Sequence, residues 1–166
     1  MSLLGILGRG FAPTTGSPPQ PPPVVDPLLL QVAEAVRYEI NLGSYSQSVS
    51  AVRYYQPQFE LSEMNTLHVS VVPRSMTEKQ LSRAITSYDC TVDVGIQKRS
   101  GMDRTTLDAL TKLVAEIAQR LRTVKLTALP DARLMQLANE PVFAPEHLDE
   151  LRQFTSVLSV RYRVWR

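Results

Sequence analysis

Reactive and ligating residue types are scarce in this chain. Its 166 residues include one cysteine and two histidines. The lone Cys90 excludes an internal disulfide framework and a thiolate metal cluster, and it fits a reducing compartment. A surplus of one charge is missing too: 18 Lys and Arg stand against 16 Asp and Glu, for a formal net charge of +2. That is not the field of a dedicated nucleic-acid binder. No apolar run approaches the roughly 18 residues of a membrane span. The opening MSLLGILGRGF has no basic residue ahead of its apolar stretch, which Gly5, Gly8 and Arg9 interrupt, so it matches a signal peptide poorly. Nucleotide and hydrolase motifs are absent as well: there is no GxGxxG, Walker loop, GxSxG or HExxH.

Proline and glycine are unevenly distributed. Of the first 27 positions 11 are Pro or Gly, against 8 of the remaining 139. This divides the chain into an arm, residues 1–26, with little capacity for regular structure, and one domain, residues 27–166, long enough to bury a core. Residues 12–27 (APTTGSPPQPPPVVDP) favour polyproline II and could span roughly 50 Å at about 3.1 Å per residue. The arm is either a solvated tail or a tether that places the apolar patch Leu3–Phe11 on a neighbouring subunit.

Within the body, Asp26 before Pro27 reads as a helix start. Leu29, Val32, Val36 and Ile40 then form one apolar stripe ending near Gly43, which predicts a helix over 27–41. The period then falls to two. Val49–Tyr55 and Thr66–Val72 read as strands stopped by Pro57 and Pro73. In the third strand, 85–97, Tyr88, Cys90, Val92, Val94 and Ile96 lie opposite Asp89, Thr91 and Asp93, as in an antiparallel sheet covered on one side. Asp103 caps a second predicted helix, 103–122, whose Leu107, Leu110, Val114, Ile117 and Leu121 are spaced 3-4-3-4. Ala132–Ala138 reads as a short strand, Lys125–Leu129 as a weaker one, and Phe154–Trp165 as the last. The order α-β-β-β-α-β-β argues an α+β domain, a mainly antiparallel sheet with two helices packed on one face.

The catalytic candidates are thin. Cys90 and His68 fall on opposite strand faces, which argues for a buried structural cysteine rather than a nucleophile pair. Asp89 and Asp93, about 7 Å apart on one strand face, suit acid/base chemistry or a cation in principle, but a solvated or interface strand accounts for the pattern with no extra assumption and is the reading preferred. No enzyme motif and no cofactor or metal site is expected. Two predicted connections, 56–65 and 73–84, bring Phe59, Leu61, Met64, Met76 and Leu81 either to a partner or beneath their own domain. Near the end, Glu140, Glu146, Asp149 and Glu150 precede Arg152, Arg161, Arg163 and Arg166. This inversion either folds back on itself or joins the acidic loop of one subunit to the basic strand of the next.

Three blocks, NTLHVSVVPRS, SYDCTVDVGIQKR and VFAPEHLDELRQFTSVLSVRYRV, carry a resemblance over roughly residues 28–164. The chain resembles prophage-encoded proteins of long-tailed bacteriophages and is similar to their tail-terminator and neck proteins. The resemblance implies a non-enzymatic virion protein, assembled in the host bacterial cytoplasm. It would form a ring, usually of six subunits, that caps the tail tube, ends its polymerisation and meets the head connector. Another neck or head–tail connector ring, or a tail assembly chaperone or binding module, is the alternative, since fold alone does not fix function. On this reading the partners are further copies of the chain, the tail tube protein and the connector, with DNA only as passing cargo and no membrane. Subunit or tube contacts would fall at Phe59, Leu61, Met64, Arg74, Met76, Glu146, Asp149, Glu150 and Arg152. Arg161, Arg163 and Arg166 would face an acidic neighbour or the lumen.

Overall fold

A five-stranded sheet carries both helices on one of its faces. The computed structural model describes residues 26–56, 65–99, 103–140, 142, 147 and 152–166. The elements are α1 (Leu28–Asn41), β1 (Ala51–Arg53), β2 (His68–Gln80), β3 (Thr86–Arg99), α2 (Arg104–Thr123), β4 (Arg133–Asn139) and β5 (Gln153–Trp165). This is the expected α+β order. Strands lie in the order β1-β2-β3-β5-β4, all neighbours antiparallel except β1 and β2. Among the described residues no helix is long and apolar enough to cross a membrane.

Both helix stripes and one sheet face meet in a single core. Val32, Val36 and Ile40 of α1 and Leu110, Leu113, Val114, Ile117 and Leu121 of α2 are buried against Val69, Val71, Cys90, Val92, Val94, Ile96, Leu158, Val160, Tyr162 and Val164. Helix α2 starts as its sequence predicts: the Asp103 carboxylate accepts from the Thr106 N–H at 2.9 Å and its hydroxyl at 2.6 Å. Helix α1 does not. Pro27 is its cap, with a carbonyl that accepts from Leu30 and Gln31, and Asp26 contributes only a backbone carbonyl to the Gln31 side chain. The Asn41 amide brackets Ala51, donating to its carbonyl at 3.0 Å and accepting from its N–H at 2.7 Å. That clamp ties the short β1 to the end of α1.

Three expectations need correction. Residues 73–80 are not a loop: β2 continues through Pro73 to Gln80, and the true connection to β3 is the turn Leu81–Ile85. Pro73 does not stop the strand because β1 ends first. The Val71 carbonyl accepts from Tyr54, so the backbone of Pro73, two residues on, faces the same side beyond the last β1 pair, where a missing N–H breaks no ladder bond. The strand Val49–Tyr55 shrinks to Ala51–Arg53, and Lys125–Leu129 is a turn that buries Leu126 and Leu129 rather than a strand.

One polar tie lies beneath the helices. The Glu39 side chain is 1% exposed and accepts from the Arg120 guanidinium at 2.5 Å, the Thr127 N–H at 3.2 Å and the Thr127 hydroxyl at 2.9 Å. Burial alone would raise its pKa, but the bonds from Thr127 and Arg120 outweigh burial and hold it below the ordinary 4.5. The tie therefore stabilises the fold above the ordinary carboxyl pKa and is lost as pH falls through the lower folded value. Arg120→Ala, which strands the carboxylate, should cost about 3 kcal/mol at pH 7 in urea unfolding. Glu39→Gln should also be less stable at pH 7, and the gap to wild type should narrow on acidification toward pH 3.

Candidate functional site

Neither α1 nor α2 packs on the sheet's second face. Ser70 and Val72 of β2, Asp89, Thr91, Asp93, Gly95 and Gln97 of β3, and Thr155, Val157, Ser159, Arg161 and Arg163 of β5 line it, as the period-two pattern of each strand requires. A shallow depression of about 240 Å³ lies over Ser70, Gly95, Gln97, Thr155 and Val157. His147, in the connection before β5, shares a hydrogen bond with Thr155 at 3.1 Å. A side chain at Gly95 would put its Cβ 2.7 Å from the Ser70 Oγ, so glycine here lets β2 and β3 carry the serine between them.

Charges on this face are matched in rows. Asp89 accepts a two-pronged bond from Arg163 at 2.6 and 2.7 Å, and that bond holds its carboxyl below the usual carboxylate range. Asp93 is paired with Arg74 at 3.2 Å, and Arg161 donates to the Gln136 side chain. The two carboxylates singled out as acid/base candidates are thus each held by a guanidinium. Arg166 lies 3.7 Å from Asp131, both largely exposed, a pair of little energetic weight. Arg152 takes a left-handed backbone, φ 49°, at the entry to β5. Phe59, Leu61, Met64, Glu146, Asp149 and Glu150 lie outside the described residues, as does the arm up to residue 25.

The distal half of β2 is the barest part of the sheet. Residues 74–80 are all exposed, and among the described residues no strand pairs with their outer edge. The ladder with β3 shifts by one residue between Pro73 and Ser75, a bulge centred on Arg74. This shift sets Met76 opposite Cys90 on the helix side of the sheet. There the helical layer runs out: Cys90 is fully buried, whereas Met76 is 45% exposed. Leu81 and Ile85 in the turn, and Trp165 on the neighbouring end of β5, are also exposed. Sequence patterning missed Ile85 and Trp165, since one sits in a turn and the other in regular alternation; only the register shows that they share this end.

Cys90 is buried and remote from His68, as their opposite strand faces predict. His68 pairs with Gln97 and Cys90 with Met76, seven residues apart along β3, roughly 23 Å at strand rise. Burial, with the charge of Asp89 adding, pushes the thiol up to about 11. Among the described residues no group of three His, Cys, Asp or Glu is placed to hold a metal.

Two outcomes test this geometry. Cys90 should resist a thiol reagent at pH 8 in the folded protein and react stoichiometrically once unfolded. Gly95→Ala should destabilise by about 1 kcal/mol through its clash with Ser70, whereas in a Ser70→Ala background the same change should be neutral or stabilising. Denaturant midpoints of the four proteins close that cycle.

No protein-family model matches the chain, and no curated protein is significantly similar to it.

Proposed function

We propose that the chain is a structural protein that assembles head-to-tail into a ring at the neck of a long-tailed phage particle, capping the tail tube. The observation that carries the reading is the bare distal half of β2, an exposed strand edge that bears Met76 and leads into a turn with Leu81 and Ile85 exposed. Strand edges with apolar side chains next to them are surfaces that partners cover. The opposite margin of the sheet is the outer edge of β4, which likewise meets no further strand among the described residues. Two different free edges on one molecule suit a heterologous contact, which closes into a ring when the rotation permits. The resemblance of three sequence blocks to tail-terminator and neck proteins supplies the biological setting.

The mechanism is steric and multivalent. A ring whose one face fits the tube end, and whose other face does not repeat it, gives the next tube subunit no site, and elongation stops. Weak contacts at each subunit add up when several engage together. Arg74 and Met76 belong to the bare edge and keep their place as contact residues. Arg163 is already neutralised by Asp89, so Arg161, Arg152 and Arg166 are the better candidates for an acidic neighbour or for the lumen.

Native mass spectrometry and negative-stain microscopy should find closed rings in solution or at isolated tail ends. Met76→Asp combined with Ile85→Asp should abolish them while leaving the thermal midpoint nearly unchanged, because both side chains are already exposed. A chain that stays monomeric at high concentration and never joins tails would overturn the proposal.

A further inference from the structure

A notch of about 320 Å³ opens where the end of α2, the α2–β4 connection and the start of β4 converge. Arg122 comes from the last turn of the helix, Lys125 from the connection and Arg133 from the first position of β4. Leu121, Leu134 and Tyr162 complete much of the wall, and no carboxylate lines it. Basic residues near a helix C-terminus ordinarily answer the dipole there, which accounts for Arg122. It does not account for Lys125 and Arg133, brought to the same opening by two other segments. All three are exposed, and none forms a hydrogen bond or ion pair among the described residues. The nearest acid along the chain, Asp131, is turned to Arg166, and Glu39 is held by Arg120 and Thr127.

Tyr162 adds a second, independent observation. It is 1% exposed, and its hydroxyl has no hydrogen-bond partner among the described residues. A buried hydroxyl left unpaired is costly, and a phenol at this site is a donor waiting for an acceptor. Three cations without partners among the described residues, around a concave opening whose wall includes Tyr162 with its buried hydroxyl, match an oxyanion that carries several acceptor oxygens.

We infer that this notch binds a phosphate group, with Arg122, Lys125 and Arg133 supplying the charge and the Tyr162 hydroxyl a hydrogen bond. Free phosphate and the backbone of a nucleic acid present the same chemistry. The notch lies at the β4 margin of the sheet, across from the distal half of β2, and phosphate binding there does not require a ring.

The test is titration of the full chain with inorganic phosphate, followed by backbone amide shifts. Saturable shifts are expected at residues 122–125 and 133–134. Arg122→Gln, Lys125→Gln and Arg133→Gln together should weaken binding at least about tenfold, whereas Arg83→Gln with Arg104→Gln, remote in sequence from the notch, should not. Tyr162→Phe, which keeps the ring and removes only the hydroxyl, should weaken it several-fold and reduce the thermal stabilisation that phosphate confers. A short DNA duplex that displaces phosphate from the same amides names the nucleic-acid backbone as the source; a duplex without effect names free phosphate. Shifts that do not saturate, or a triple variant that binds as the parent does, would overturn the inference. Unchanged affinity in Tyr162→Phe would overturn the role of the hydroxyl.

Discussion

The buried carboxylate of Glu39 is the constraint on which the helical layer depends. It reaches from α1 to Arg120 of α2 and to both donors of Thr127 in the connection beyond α2. Apolar packing alone would allow two helices to slide on a sheet of β-branched side chains. A buried charge with three donors at fixed positions tolerates little sliding, because any shift leaves it unpaired. The position of α2, and with it the path into β4, follows from that tie. Asn41 does similar work on a smaller scale, fixing β1 through both backbone groups of Ala51.

Much of this fold was legible in periodicity. The stripe of α2 from Leu110 to Leu121 with its Asp103 cap, and the alternation of Cys90–Ile96 in β3 and Ser156–Val164 in β5, match the observed burial, whereas Leu107 and Tyr88 are only half-buried and Ser87 and Thr155 are buried on the opposite face. These signals are local, so a single sequence carries them. What failed was whatever depended on a neighbour in space. Pro73 breaks a central strand but not one whose next partner has ended, and nothing near Pro73 announces that β1 stops at Arg53. The bulge at Arg74 reverses the facing of every residue after it, which puts Met76 on the helix side opposite Cys90. Glu39 and Arg120 were both visible at the flanks of apolar stripes. An acid on one helix and a base on another at such positions was the available signal, but their pairing is a tertiary fact.

The arginine-rich end of the chain shows the same division. Its charge is evident in sequence, yet one arginine holds Asp89, one bonds Gln136 and one lies by Asp131. Cations that matter for binding are those the fold leaves without partners. Among the described residues Arg122, Lys125 and Arg133 meet that criterion, and no sequence pattern marks them because they come from three separate segments.

The bare outer edge of β2 carries Arg74, Glu78 and Lys79 among its seven exposed residues. A flat apolar edge would recruit any extended chain, including an unfolded copy of itself, and such recruitment has no natural end. A bulge twists this edge, and charges of both signs punctuate it, so an incoming strand must present the opposite sequence of charges in the correct register or meet repulsion. The edge is therefore selective as well as open, and the same three side chains that discourage aggregation act as its lock.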